Sequence, residues 1–107
     1  MKASRTIIDP DVLRLAAGQA VAALKVLANE QRLLLLCQLS QGEMCVSELE
    51  ERLDIHQPTL SQQLGVLRNE EVVETRREGK NIYYSVADPA LLEILALLYR
   101  LYCPKGK

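Results

Sequence analysis

A mainly α chain carrying one β-hairpin is what this sequence predicts, and three stretches predict it. Residues Gln57 to Arg68 put Leu60, Leu64 and Leu67 at helical spacing and turn Thr59, Ser61, Gln62 and Gln63 away from that stripe. Just upstream, Ser47-Glu48-Leu49-Glu50 has the spacing of a capping box and opens a short helix to about Leu53, ended by the turn Asp54-Ile55-His56-Gln57. Downstream, Val72 to Arg77 and Asn81 to Val86 are β-branched and aromatic runs joined by Glu78-Gly79-Lys80, the pattern of a hairpin. Helix, turn, helix and hairpin in that order make a winged helix-turn-helix within one domain over 1–107, the helix-turn-helix at about 47–70 and the wing at about 72–86.

The other elements bring the expected helices to five. Asp9-Pro10 opens a first helix over about 10–28, in which Val12, Leu13, Ala16, Ala20, Leu24 and Leu27 keep helical spacing and the alanines permit close helix approach. Asn29 is placed to cap the second, which carries Leu33 to Leu36 and Leu39 before Gln41-Gly42 ends it. Asp88-Pro89 starts the last helix, over about 89–103, apolar around most of its circumference between Leu91 and Tyr102. A chain of 107 residues is too small to enclose both terminal helices. The expectation is a homodimer joined through the first and last helices, presenting two recognition helices to an approximately palindromic double-stranded DNA operator.

Composition narrows the function. Hydrophobic residues make up 49% of the chain but include no Trp or Phe, so Leu, Val and Ala must fill the core. A net charge of -1 argues against indiscriminate nucleic-acid binding and favours a site-specific binder with a locally placed cation set, Arg68, Arg76, Arg77 and Lys80. The longest apolar run, Leu33 to Cys37, is far too short to span a bilayer, and no apolar signal-like segment opens the chain; the expected location is the cytoplasm. Catalysis is not expected, because the sequence has neither a Gly-rich phosphate loop nor a carboxylate pair in a recognisable motif.

The residues of the recognition helix suit base reading. Pro58 is read as its first residue, where a missing amide costs nothing. Thr59, Ser61, Gln62 and Gln63 offer hydroxyl and carboxamide groups to base edges without the repulsion that carboxylates meet from phosphates. Gln57, Arg68, Arg76, Arg77 and Lys80 are the candidates for phosphate or minor-groove contact.

Four strings carry a family resemblance: Leu27-Ala28-Asn29-Glu30-Gln31-Arg32-Leu33, Val46-Ser47-Glu48-Leu49, Gln57-Pro58-Thr59-Leu60-Ser61-Gln62-Gln63-Leu64 and Gly79-Lys80-Asn81-Ile82-Tyr83-Tyr84. From about Gln19 to Cys103 the chain resembles ArsR/SmtB-type bacterial repressors. The resemblance implies a homodimeric winged-helix repressor whose operator binding weakens when a ligand or metal binds. Members that sense soft metals carry two cysteines one residue apart before the helix-turn-helix; here the second of those positions is Ser47, too weak a donor for a thiophilic ion. Zinc-type members draw carboxylate and imidazole ligands from the last helix, and between Asp88 and Tyr102 this chain has no histidine. No metal site is expected.

Three cysteines remain. Cys37 lies in an apolar helical run and reads as a small buried hydrophobe that does not react. Cys45 precedes a helix N-terminus after a loop, where access and the helix dipole favour a reactive thiolate. Cys103 ends the last helix, followed by Pro104. Two unrelated thiols remain an alternative to a pair, since cytosolic proteins normally keep thiols reduced. Cys45 and Cys103 look like the two cysteines of the persulfide-responsive, BigR-like branch of the family. That resemblance implies a redox-sensing dithiol, bridged by a persulfide or polysulfide inducer derived from hydrogen sulfide, that weakens operator binding. The alternatives are a metal-responsive regulator and a haem-responsive one, since Cys103-Pro104 is also similar to the Cys-Pro motif that ligates haem iron, with His56 as a distant second ligand.

Overall fold

The computed structural model describes residues 7–103. Five helices and three strands follow the order α1 (Pro10–Leu27), α2 (Glu30–Leu39), β1 (Met44–Cys45), α3 (Val46–Leu53), α4 (Thr59–Asn69), β2 (Val73–Glu78), β3 (Asn81–Val86) and α5 (Pro89–Tyr102). The helix starts obey the caps read from the sequence. Carboxylate or carboxamide oxygens of Asp9, Asn29 and Asp88 accept backbone N–H groups of Asp11, Arg32 and Ala90 at 2.9, 3.0 and 3.0 Å, with Pro10 and Pro89 next to the two aspartates.

Two starts differ from expectation. The cap of α3 lies two residues earlier than Ser47: Cys45 is its N-cap, and its N–H donates to Glu48 Oε1 at 3.0 Å. Val46 is therefore already helical, and Glu48 rather than Glu50 supplies the returning carboxylate. In α4 the proline stands one residue outside the helix, as N-cap, where its side chain has no acceptor to offer. Gln57 Oε1 fills that role by accepting the Ser61 N–H at 3.0 Å.

The sheet order is β1-β3-β2, antiparallel throughout. Register Glu78↔Asn81 leaves Gly79 and Lys80 as a two-residue loop, and Gly79 takes φ 63°, the left-handed value that a first loop residue of a II′ hairpin turn requires. β1 has no counterpart in the sequence reading. Its two residues pair with Tyr84 and Tyr83, too short a segment for any periodicity to reveal.

The core is leucine. Leu35 and Leu36 of α2, Leu49 of α3, Leu60 and Leu67 of α4, and Leu91 and Leu95 of α5 are fully enclosed, so the stripe predicted for α4 is the stripe that packs. Each such side chain withdraws apolar area worth about 1.5–3 kcal/mol. The outer helices contribute little: α1 buries only Val26 and Leu27, and Leu13, Leu15, Val21 and Leu24 stay exposed, as do Leu97, Leu101 and Tyr102 of α5. The radius of gyration, 16.5 Å, exceeds the roughly 13 Å of a compact domain of this length, because α1 projects from the core with its apolar face uncovered.

Glu71, in the turn between α4 and β2, adopts φ 60° with an exposed side chain. Glu71→Gly should stabilise the fold by about 0.5–1 kcal/mol, because the left-handed backbone strains a residue with a Cβ and glycine takes it freely. Urea unfolding of the two proteins measures it, and an unchanged or lower midpoint contradicts the expectation.

Candidate nucleic-acid interface and cysteine groove

On α4 the enclosed leucines face inward and Ser61, Gln62 and Arg68 lie exposed on the outside, with Gln57 exposed at the approach to the helix. Thr59 is half-buried. Gln63, predicted to face bases with its neighbours, is also half-buried, and its Oε1 accepts a hydrogen bond from Arg32 Nη1 at 3.3 Å. Its position one residue before Leu64 rotates it toward α2, so the outward set is narrower than the composition of the helix implied.

The wing cations divide in the same way. Arg76 does not stand as a free charge: Nε and Nη2 donate to Glu43 Oε2 and Oε1 at 2.9 and 2.7 Å, Nη1 donates to Glu78 Oε1 at 2.8 Å, and the guanidinium lies 4.9 Å from the centre of the Tyr83 ring. The Arg76 hydrogen bond holds the Glu43 carboxyl below the usual carboxylate range, and the two carboxylates hold the guanidinium above its own. A lowered carboxyl pKa means that the pair contributes fully above the ordinary Glu range and is lost as pH falls through the lowered value. The arginine therefore pins the α2–β1 loop to the wing. Among the described residues no carboxylate pairs with Arg68, Arg77 or Lys80, all exposed.

This division separates two variants. Arg77→Ala should weaken operator and random DNA alike and reduce the slope of log affinity against log salt by about 1, as loss of one phosphate contact does. Arg76→Ala should leave that slope unchanged. Anisotropy titrations from about 50 to 200 mM salt distinguish them; equal slope changes for both would return Arg76 to the phosphate contacts.

The cysteines are arranged differently from expectation. Cys45 is not an accessible thiol: it is 5% exposed, sits opposite Tyr83 in β1, and its Sγ lies 3.4 Å from Ser47 Oγ. Strand pairing by Met44 and Cys45 closes the loop expected to admit reagents. Cys37, expected to be sealed in the core, is half-buried and lines an open groove between α2 and α5 together with Leu34, Gln41, Leu53, Tyr99 and Cys103. Cys103 is exposed at the C-cap of α5. Burial pushes the Cys37 thiol up, and the neighbouring Cys103 sulfur acts in the same direction, because a second thiolate beside the first is repelled. The structure thus brings Cys103 to Cys37 and leaves Cys45 outside the groove. Leu34, Cys37 and Gln41 recur at i, i+3 and i+7, and Tyr99 and Cys103 at i and i+4; these two matching stripes are the sequence signal for the pair.

His56 lies exposed in the α3–α4 turn, with Nε2 2.7 Å from Asp54 Oδ1 and Nδ1 3.5 Å from Glu50 Oε2, and takes no part in the Cys103 groove. Pro104, needed for the Cys-Pro haem motif, lies outside the described residues. Among the described residues no three His, Cys, Asp or Glu side chains form a group able to hold a metal ion, and no helix is long and apolar enough to cross a membrane.

A recognition helix with an exposed polar face, preceded by a short capped helix and followed by a cationic wing, defines a DNA-binding transcriptional regulator of the winged-helix kind. The profile of the bacterial regulatory proteins of the arsR family matches residues 29–75, and the chain belongs to that family. The biofilm growth-associated repressor of Agrobacterium fabrum is 51% identical over 87 residues, which cover 81% of this chain and 74% of that one. The transcriptional activator HlyU of Vibrio cholerae is 41% identical, covering 81% of each chain. Among solved structures, the transcriptional repressor BigR from Xylella fastidiosa superposes with a TM-score of 0.83 at 40% identity, covering 92% of this chain and 100% of that one. These relatives are regulators of transcription and not enzymes.

Proposed function

We propose that this protein is a homodimeric repressor that leaves its operator when Cys37 and Cys103 react with a sulfane-sulfur donor. The observation that carries the proposal is the shared groove of the two thiols: one exposed at the end of α5, the other half-buried on α2, with apolar and carboxamide walls around them. An exposed thiolate of Cys103 attacks the outer sulfur of an organic persulfide, leaving a persulfide on Cys103 and releasing the donor's thiolate, which takes up a proton. Cys37 then attacks the inner sulfur of that adduct. A disulfide bond joins the two residues, the sulfane sulfur is reduced and departs as hydrogen sulfide, and both cysteines are oxidised. Two persulfidated cysteines instead condense to a trisulfide with loss of one hydrogen sulfide, which spans a wider gap than a disulfide tolerates.

The bridge ties α5, whose outward face is apolar, to the end of α2, from which the loop bearing Glu43 leads to the wing. The uncovered faces of α1 and α5 support the dimer, since a monomer exposing Leu13, Leu15, Leu24, Leu97 and Leu101 leaves a large apolar surface in water. Ser61 and Gln62 are the base-reading candidates, with Gln57 and Thr59 at the helix entry, and Arg68, Arg77 and Lys80 the phosphate contacts.

The test is release of a fluorescent operator duplex, chosen by selection from a random library, on titration with an organic persulfide. Persulfide should release it at stoichiometric concentration, while zinc, arsenite and haem should not. Release by haem or by a metal alone, with persulfide inert, overturns the proposal in favour of the corresponding class of sensor.

A further inference from the structure

Where α1 ends, the Val26 carbonyl has no backbone N–H to accept among the described residues, and that of Lys25 accepts only the Ala28 N–H of the C-cap, at 3.3 Å. Arg32, three residues into α2, supplies a donor to each. Its Nε donates to Val26 O at 2.8 Å and its Nη2 to Lys25 O at 3.0 Å, placing a positive charge at the negative end of the α1 dipole. Its own backbone N–H is held by Asn29 Oδ1 at 3.0 Å, so the segment from which the guanidinium projects is fixed. The remaining donor, Nη1, reaches Gln63 Oε1 on α4 at 3.3 Å. Among the described residues this is the one side-chain hydrogen bond that reaches α4 from another helix. The leucine stripe of α4 supplies non-directional adhesion, whereas a planar guanidinium with donors fixed in its plane supplies direction.

We propose that Arg32 is the positioning residue of the DNA-reading unit, setting α4 against the end of α1 and so setting the distance and pitch between the two recognition helices of a dimer. The inference rests on the dimeric DNA-binding reading and is independent of the cysteines. Val21 and Leu24, just upstream of the clamped carbonyls, belong to the exposed apolar face of α1, so the guanidinium lies between the dimer frame and the base-reading helix. Gln63 acts here as the handle by which α4 is held. Lysine at position 32 keeps the charge near the α1 terminus but, as a single flexible ammonium, does not hold the α1 carbonyls and the α4 carboxamide in one fixed plane.

The experiment uses the full-length chain and an operator selected by wild type, the same operator with its half-sites moved apart or together by one base pair, and a random duplex. Arg32→Lys should reduce affinity for the selected operator by about tenfold or more while changing random-DNA affinity little, and should flatten the preference for native spacing. Gln63→Ala should reproduce both effects more weakly, and the double variant should lose no more than Arg32→Lys alone, because both remove one link. A wild type with clear preference whose ratio and spacing dependence survive in Arg32→Lys, even if its melting temperature falls, overturns the positioning role and leaves Arg32 a helix cap. Losses that simply add in the double variant overturn it as well. A wild type that selects no sequence overturns the DNA-binding reading with it.

Discussion

Cys103→Ser and Cys37→Ser should each bind operator within about twofold of wild type, as substitutions at exposed and half-buried positions usually do, and neither should release it when persulfide is added. One thiol cannot close a bridge. Cys45→Ser should release normally, because Cys45 is enclosed at the pairing of β1 with β3 and lies outside the groove. The two steps should also separate with pH. Since burial raises the Cys37 thiol, the resolving thiolate is scarce at neutral pH, and bridge closure should accelerate as pH rises through the ordinary thiol range and beyond it. Stopped-flow anisotropy from about pH 6 to about pH 10, which brackets ordinary and raised thiols, reads this directly. A closure rate that levels off within the ordinary thiol range, or a Cys45→Ser variant that holds its DNA, contradicts the arrangement.

Val21→Glu combined with Leu24→Glu should convert the dimer to a folded monomer and cost operator affinity by about 10²- to 10³-fold, since linked half-sites gain effective concentration and separate ones do not. Both side chains are exposed in the single chain, at 47% and 57%, so the substitutions leave the enclosed leucines untouched. Sedimentation gives the mass and circular dichroism the fold. A variant that remains dimeric with unchanged affinity removes α1 from the dimer interface.

The secondary structure is largely legible in the sequence because local chemistry decides it. Asp9-Pro10, Asn29 and Asp88-Pro89 mark three helix starts by oxygens that can reach orphan amides, and Leu60, Leu64 and Leu67 mark the buried side of the fourth helix by period alone. What the sequence conceals are relations across space. The partnership of Arg32 with Gln63 spans two helices, and that of Arg76 with Glu43 links a loop to a strand; no spacing rule connects either pair. Cys37 and Cys45 exchange their expected environments for the same reason. A thiol in a leucine run reads as core and a thiol before a helix reads as accessible, but Cys45 lies buried in a two-residue strand paired with β3, and the edge of α2 that carries Cys37 is left open where α5 ends.

Peptide mass spectrometry of the wild-type protein after persulfide treatment, digested without reductant, tests the sensing claim most directly. The expected species is a Cys37 peptide joined to a Cys103 peptide, either through a disulfide or with one or more additional sulfur atoms between them, appearing in step with loss of operator binding and reversed by a thiol reductant. A Cys45–Cys103 linkage, or full release of DNA with Cys37 still a free thiol, would contradict it.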